Sequence, residues 1–118
     1  MSRPALPARR VALAALGVVL LSGCQPKLQA SQLAGRWKSS RLTTTVLHLN
    51  ANGEWEIRDA DEHVLQYGVW QLQDRTLVWT IKQEGTLQHD PNPIVAFEKD
   101  RFELRERDGS ITRFERLP

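Results

Sequence analysis

Short runs of alternating apolar and polar residues follow one another through most of this 118-residue chain, beginning after Leu33. The segments Glu54–Arg58 and Arg101–Arg105 alternate strictly, which is typical of β-strands with one buried face. Between such segments stand Asn50–Gly53 and the Asp108-Gly109 pair, whose residue types tolerate the positive φ of hairpin turns. This pattern predicts an all-β fold built from antiparallel hairpins.

About eight strands are predicted, at the spacing expected of an antiparallel sandwich or barrel. They are Gly35–Ser39, Thr43–Asn50, Glu54–Arg58, Gln66–Leu72, Thr76–Lys82, Ile94–Glu98, Arg101–Arg105 and Ser110–Leu117. The segment Gln83–Pro93 contains Gly85, Pro91 and Pro93, and it is predicted to be the longest loop. Beyond the N-terminal leader, no stretch has the periodicity of a long amphipathic helix.

Alternation also predicts which side chains point inward. The inward set is Trp37, Leu47, Leu49, Trp55, Ile57, Trp70, Leu72, Leu77, Trp79, Ile81, Phe97, Phe102, Leu104 and Phe114. It includes all four tryptophans, and each aromatic side chain buries about 150 to 250 Å². Because a domain of this size must first build its core, we expect these residues to fill the interior rather than to form a ligand-binding cage.

The N-terminal segment has the layout of a secretion signal. Arg3, Arg9 and Arg10 precede an apolar run from Val11 to Leu21. The run is about a dozen residues long, whereas a helix that crosses a membrane needs about 20. We therefore interpret residues 1–23 as a helical signal peptide that is removed from the mature protein.

The apolar run ends in Leu21-Ser22-Gly23-Cys24, which resembles the lipobox of bacterial lipoproteins. The resemblance implies that the Cys24 thiol receives a diacylglyceryl group, that cleavage follows just before Cys24, and that the freed amine is acylated. More than one acyl chain gives stable membrane attachment. The alternative is an ordinary signal peptide in which Cys24 is incidental. Cys24 is the only cysteine, so the mature domain has no disulfide.

Gln25 follows the cysteine at the position where many inner-membrane lipoproteins have aspartate. By that family rule, the resemblance implies attachment to the outer membrane with the domain facing the periplasm. The next residues, up to Gln32, contain Pro26 and little apolar periodicity. We therefore predict three parts: a signal peptide over 1–23, the lipidated Cys24 and a tether over 24–32, and a β-barrel domain over 33–118.

Removal of the leader changes the charge of the protein. The leader holds three of the 16 basic residues and none of the 14 acidic ones, which leaves 13 basic against 14 acidic residues and a net charge of −1. The excess of basic residues in the whole chain therefore belongs to the leader. Charge gives no reason to expect nucleic-acid binding.

Leu33-Ala34-Gly35-Arg36-Trp37 resembles the opening Gly-x-Trp strand of lipocalin-like, calycin-type small barrels. The later features follow in the family's order: a Thr-rich strand, an Asn-Gly turn before Glu54-Trp55, Gly68-Val69-Trp70, Leu77-Val78-Trp79, and an Asp-Gly hairpin that ends in Phe114-Glu115-Arg116. The resemblance covers Leu33–Leu117 and implies an up-and-down barrel. It also implies that Arg116, or Arg113 after a bulge, covers the Trp37 ring in a cation–π contact.

The sequence offers few groups for catalysis or metal binding. His48, His63 and His89 fall in a predicted strand, beside a turn and in the long loop, without a Gly-flanked serine or metal-ligand spacing. The acidic residues of Asp59–Glu62 lack the ligand spacing of a calcium loop, so we interpret them as a solvated turn. We expect no cofactor, no metal and no catalytic residue.

The expected function is that of a non-catalytic binding or interaction module, held at the membrane through Cys24, with an envelope protein as partner. The alternative is a carrier of a small apolar ligand inside the barrel. An internal void of several hundred Å³ lined by tryptophan favours the carrier, whereas a filled interior with an exposed apolar patch favours a protein partner. An enzyme requires at least two of the histidines or acids to meet in one cleft.

Overall fold

The computed structural model describes residues 27–118, so the predicted signal peptide and Cys24 lie outside the described residues. The described residues form a closed antiparallel barrel in which each strand pairs with the next and the last pairs with the first. The elements are α1 (Ala30–Leu33), β1 (Gly35–Ser39), β2 (Val46–Leu49), β3 (Glu54–Arg58), β4 (Val64–Gln73), β5 (Thr76–Gln83), β6 (Thr86–Glu98), β7 (Arg101–Arg105) and β8 (Ile111–Arg116). The predicted all-β barrel of eight strands is confirmed.

The hairpin turns have the backbone that their residues favour. Gly53 and Gly109, predicted to end tight turns, have φ values of 93° and 90°. Glu84 and Gly85 connect β5 to β6, and both have positive φ, at 50° and 79°. Two successive residues with positive φ give the turn twist that matches the twist of paired strands. Within residues 27–118 there is no helix with the length and apolar character needed to cross a membrane.

The predicted loop Gln83–Pro93 is wrong, because most of it is strand. β6 pairs with β5 along its first half, from Thr86 opposite Gln83 to Pro93 opposite Thr76. Pairing of β6 with β7 begins only at Ile94, whose N–H bonds on the β5 side to the Arg75 carbonyl. The backbone N–H groups of alternate residues point to opposite neighbouring strands. The backbone nitrogens of Pro91 and Pro93 therefore point away from β5, at positions where β7 does not yet pair with β6. Neither proline therefore removes a ladder hydrogen bond.

The predicted tether over 24–32 is too long at its C-terminal end. Leu28 is only 5% exposed and belongs to the barrel core. The single helical turn α1 follows it and places Leu33, which is fully buried, in the same cluster. Four residues are too few to show a helical period in the sequence. The barrel domain therefore includes Leu28 and the residues after it.

Three aromatic rings of the core, those of Trp37, Phe102 and Phe114, pack against one another. The Trp37 and Phe102 rings lie edge to face with centroids 4.6 Å apart, and Phe102 stacks on Phe114 at 4.7 Å. All members of the predicted inward set lie in the buried cluster or pack against it. The cluster also contains Leu28, Leu33 and Ile94, which were not in that set.

Candidate functional site

The two ends of the barrel are built differently. At one end, here called the closed end, lie α1 and the turns β2–β3, β4–β5 and β6–β7. At the other end, the mouth, lie the connections β1–β2, β3–β4, β5–β6 and β7–β8. The mouth leads into a cavity, whereas the closed end is occupied by side chains of the core.

Arg116 holds the closed end together. Its guanidinium lies 4.2 Å from the Trp37 ring centroid, so the cation–π contact expected from the sequence is present. It also donates hydrogen bonds to the carbonyls of Ala34 at 2.9 Å and Gln32 at 2.8 Å. The alternative residue, Arg113, instead donates to Glu103 at 3.0 Å. Arg116 therefore ties β8 to the end of α1.

Gly35 and Trp37 explain why the Gly-x-Trp spacing suits this end. Gly35 has a φ of 143°, and a Cβ at this position would stand 2.5 Å from Arg116 Nη1. The Trp37 Nε1–H donates to the Leu33 carbonyl at 2.8 Å. The carbonyls at the end of α1 have no partner inside the helix. They thus accept hydrogen bonds from Trp37 and Arg116. The role of these residues is structural.

The cavity at the mouth has a volume of about 320 Å³. Its apolar wall is formed by Leu47, Trp55, Ile57, Trp79, Ile81, Leu104 and Phe114. The Trp55 and Trp79 rings stand nearly perpendicular, with centroids 5.7 Å apart. The expectation that side chains fill the interior is therefore wrong for this half of the barrel and correct only for the closed end.

Small and polar inward residues explain why the mouth half is hollow. Gly68 lies opposite Trp55 in the β3–β4 pair, and a Cβ there would stand 2.7 Å from Trp55 Nε1. The cavity is also lined by Gln66, Asp90 and Asn92, which take inward positions on β4 and β6. Gln66 is exposed and Asp90 is half-buried, whereas Asn92 is buried and bonds to Trp79, so none of the three adds an apolar side chain to the interior.

The polar groups of the cavity are concentrated near the mouth. Asn92 is 1% exposed and accepts a hydrogen bond from Trp79 Nε1 at 2.7 Å. Asp90 and Glu106 also line the cavity. Their carboxylates contact Arg107 at 3.4 Å and Arg41 at 3.6 Å. The cavity thus joins an apolar wall to a rim that carries two carboxylates and the Arg41 guanidinium.

The arginines are far more exposed than the carboxylates they contact. The Asp90 side chain is 30% exposed against 80% for Arg107, and Glu106 is 18% exposed against 59% for Arg41. The two carboxylates face the cavity together with Arg41, while most of each arginine side chain lies in solvent. Two acids meet in one cleft here, but both take part in ion pairs, and none of the three histidines lines the cavity.

The three histidines lie apart from one another, as the sequence predicts. His48 points outward on β2, and His63 stands beside the β3–β4 turn. His89 is on β6 and not in a loop, and its Nδ1 lies 2.9 Å from Thr80 Oγ1 across the outer face of the sheet.

The β3–β4 turn brings Asp59, Asp61 and His63 within 4.8 Å of one another. Hydrogen bonds inside the turn account for this cluster. Asp59 accepts the backbone N–H groups of Asp61 and His63, each at 2.9 Å. The bond from the His63 backbone is the main reason that the pKa of Asp59 lies below its usual value. The cluster is therefore a self-satisfied turn.

His48 predicts a pH dependence of stability. Burial lowers the pKa of His48, Arg58 and Arg36 lower it further, and Glu62 and Glu56 oppose the shift. The unfolded chain, with a histidine pKa of about 6.5, then binds the proton more readily than the folded chain. Stability from this group is complete above about pH 6.5 and falls as the pH drops below it.

Urea unfolding at a series of pH values measures this effect. The midpoint is expected to fall on acidification from about pH 7.5 to about pH 5.5, and His48→Gln is expected to reduce that fall. The matched control is His89→Gln, at an exposed position on β6, which should leave it unchanged. An equal pH dependence in the parent protein and the His48→Gln variant would contradict the prediction.

Sequence reasoning missed the cavity and part of its lining. The alternation of apolar residues does not mark Gln66, Asp90 and Asn92 as inward residues, because their side chains are polar. Asp90 and Asn92 also fell in the predicted loop.

Comparisons of the chain with protein-family models, curated proteins and solved structures found no match.

Proposed function

We propose that this chain is a bacterial envelope lipoprotein, anchored through Cys24, whose barrel binds a small ligand in the cavity at its mouth. The observation that carries the binding proposal is the cavity itself, walled by Trp55 and Trp79 and open at one end. The Leu21–Cys24 sequence supports the anchor, and Gln25 supports outer-membrane attachment on the periplasmic face. In this proposal the domain is a carrier and not an enzyme.

The size of the cavity limits the ligand. An apolar cavity of about 150 Å³ holds one benzene molecule. A volume of about 320 Å³ therefore accommodates about a dozen non-hydrogen atoms. Because the wall is apolar, the body of the ligand is apolar, and its burial supplies about 25 cal/mol for each Å² removed from water.

The rim determines the polar end of the ligand. Two carboxylates, Asp90 and Glu106, line the cavity against one guanidinium, Arg41, and carboxylates accept hydrogen bonds but do not donate them. A ligand with a protonated amine at its polar end places a donor and a positive charge beside them. A charge-assisted hydrogen bond is stronger than a neutral one. We therefore propose an amine with an apolar body as the ligand class.

Three compounds of equal length but different polar ends test this proposal. Phenylbutylamine, phenylbutanol and phenylbutyrate are titrated by calorimetry into residues 25–118, which contain every member of the core. The amine is expected to bind about tenfold more tightly than the alcohol. The carboxylate is expected to bind most weakly, because Asp90 and Glu106 repel it.

Two variants separate the rim from general charge effects. Asp90→Asn is expected to remove most of the preference for the amine. Asp74→Asn, at the closed end in the β4–β5 turn, is the matched control and should preserve it. Tightest binding of the carboxylate would reject the ligand class, and no binding by any of the three compounds would reject the carrier.

A second candidate function is docking of an envelope protein, and exposed apolar side chains favour it. Leu65, Tyr67 and Val69 face outward on β4, with Tyr67 75% exposed. Leu87 on β6 is also exposed. Native mass spectrometry of the mature protein, gently extracted from its own envelope, distinguishes the two functions. A bound small molecule supports the carrier, and a bound protein supports the docking module.

A further inference from the structure

The distance between the predicted anchor and the folded domain is short. Three residues separate Cys24 from Leu28, and Leu28 is buried in the core. An extended chain advances at most about 3.6 Å per residue. Leu28 therefore lies within about 14 Å of the anchored cysteine.

Leu28 lies one residue before α1, with the N-cap Gln29 between them, and α1 is fixed to the closed end. Arg116 bonds to the Gln32 and Ala34 carbonyls, and Trp37 bonds to the Leu33 carbonyl. The point at which the domain meets its anchor is therefore the closed end.

The mouth lies at the opposite end of the strands. β5 runs from Thr76 at the closed end to Gln83 at the mouth. Strands advance about 3.3 Å per residue and tilt by about 35 to 45° in barrels, so the seven residue steps of β5 separate the two ends by about 16 to 19 Å.

Charges on the two ends favour one orientation. The connections at the mouth carry the carboxylates of Asp59, Asp61, Glu62, Glu84, Glu106 and Asp108 against the guanidinium groups of Arg41 and Arg107. The exposed residues of the closed end include Lys27, Arg75 and Lys99 beside Asp74 and Asp100. An anionic lipid surface attracts basic groups and repels carboxylates. It therefore draws the closed end toward the lipid and keeps the mouth away.

We propose that the barrel stands on the membrane with its closed end against the lipid surface and its cavity open to the aqueous compartment. This inference rests on lipidation of Cys24, which is part of the proposed function. It means that a ligand enters the cavity from water and not directly from the bilayer.

Two hairpin turns provide matched positions for a test. Asp74 in the β4–β5 turn and Glu84 in the β5–β6 turn are both exposed, with φ values of 57° and 50°. Each is replaced by cysteine in the full precursor, so that the mature lipidated protein carries one free thiol. The thiol is labelled with a fluorophore, and the protein is placed in phosphatidylethanolamine–phosphatidylglycerol vesicles that contain a headgroup-attached quencher.

The fluorophore on the Asp74→Cys variant is expected to be quenched several-fold more than that on the Glu84→Cys variant. Flotation of the vesicles is measured on the same samples. Protein that floats but shows equal or reversed quenching would overturn the orientation alone. Protein that fails to float would overturn the lipid anchor and the orientation with it.

Discussion

Replacing Trp37 with alanine is expected to lower the free energy of unfolding by about 3 to 5 kcal/mol. Trp37 has no exposed surface, and its ring contacts both Phe102 and the Arg116 guanidinium. Alanine leaves a void at a fully buried position of the core and removes the donor to the Leu33 carbonyl. Urea unfolding of residues 25–118, followed by circular dichroism, measures the change.

Two controls show whether the loss comes from this position. Trp37→Phe keeps an aromatic ring under Arg116 but loses the indole N–H, so a smaller destabilisation is expected. Tyr67→Ala removes an aromatic side chain that is 75% exposed, and its effect should stay within about 0.5 kcal/mol. If Trp37→Ala is no more destabilising than Tyr67→Ala, Trp37 does not anchor the closed end.

Replacing Cys24 with alanine is expected to abolish lipid attachment and to leave the precursor uncleaved. In the proposed maturation, the Cys24 thiol is the only atom that can receive the diacylglyceryl group, and cleavage follows lipidation. Incorporation of labelled palmitate and the mass of the purified product measure both steps.

The matched control for Cys24→Ala is Ser22→Ala, which keeps a small residue in the lipobox-like sequence and should be processed and lipidated. Normal maturation of the Cys24→Ala variant would instead support the alternative of an ordinary signal peptide with an incidental cysteine.

The strands and the core were predictable because they depend on alternation. Once β3 and β7 are recognised as strands, a period of two residues fixes which side chains point inward. The sequence was misleading at Pro91 and Pro93, since proline usually interrupts a sheet. Here both prolines lie opposite residues of β5, but their backbone nitrogens point to the other side, where no strand pairs with this part of β6.

The cavity was not predictable from the same pattern. Its volume depends on how Gly68 and Trp55 meet across two strands and on polar residues at inward positions. Alternation assigns faces to residues but says nothing about the space left between them. The position of Leu28 was missed for a related reason, because a single buried leucine before one helical turn has no periodic signal.

In the proposed function, the mouth half of the barrel receives a ligand while the closed end remains filled by core side chains. The four tryptophans report on it directly, because Trp55 and Trp79 line the cavity and Trp37 lies at the closed end. In nitrogen-15-labelled residues 25–118, the indole N–H signals are assigned with single Trp→Phe variants and followed during titration with phenylbutylamine. The signals of Trp55 and Trp79 are expected to shift in a saturable manner while that of Trp37 stays in place. Absence of a shift at Trp55 and Trp79, or an equal shift at Trp37, would contradict it.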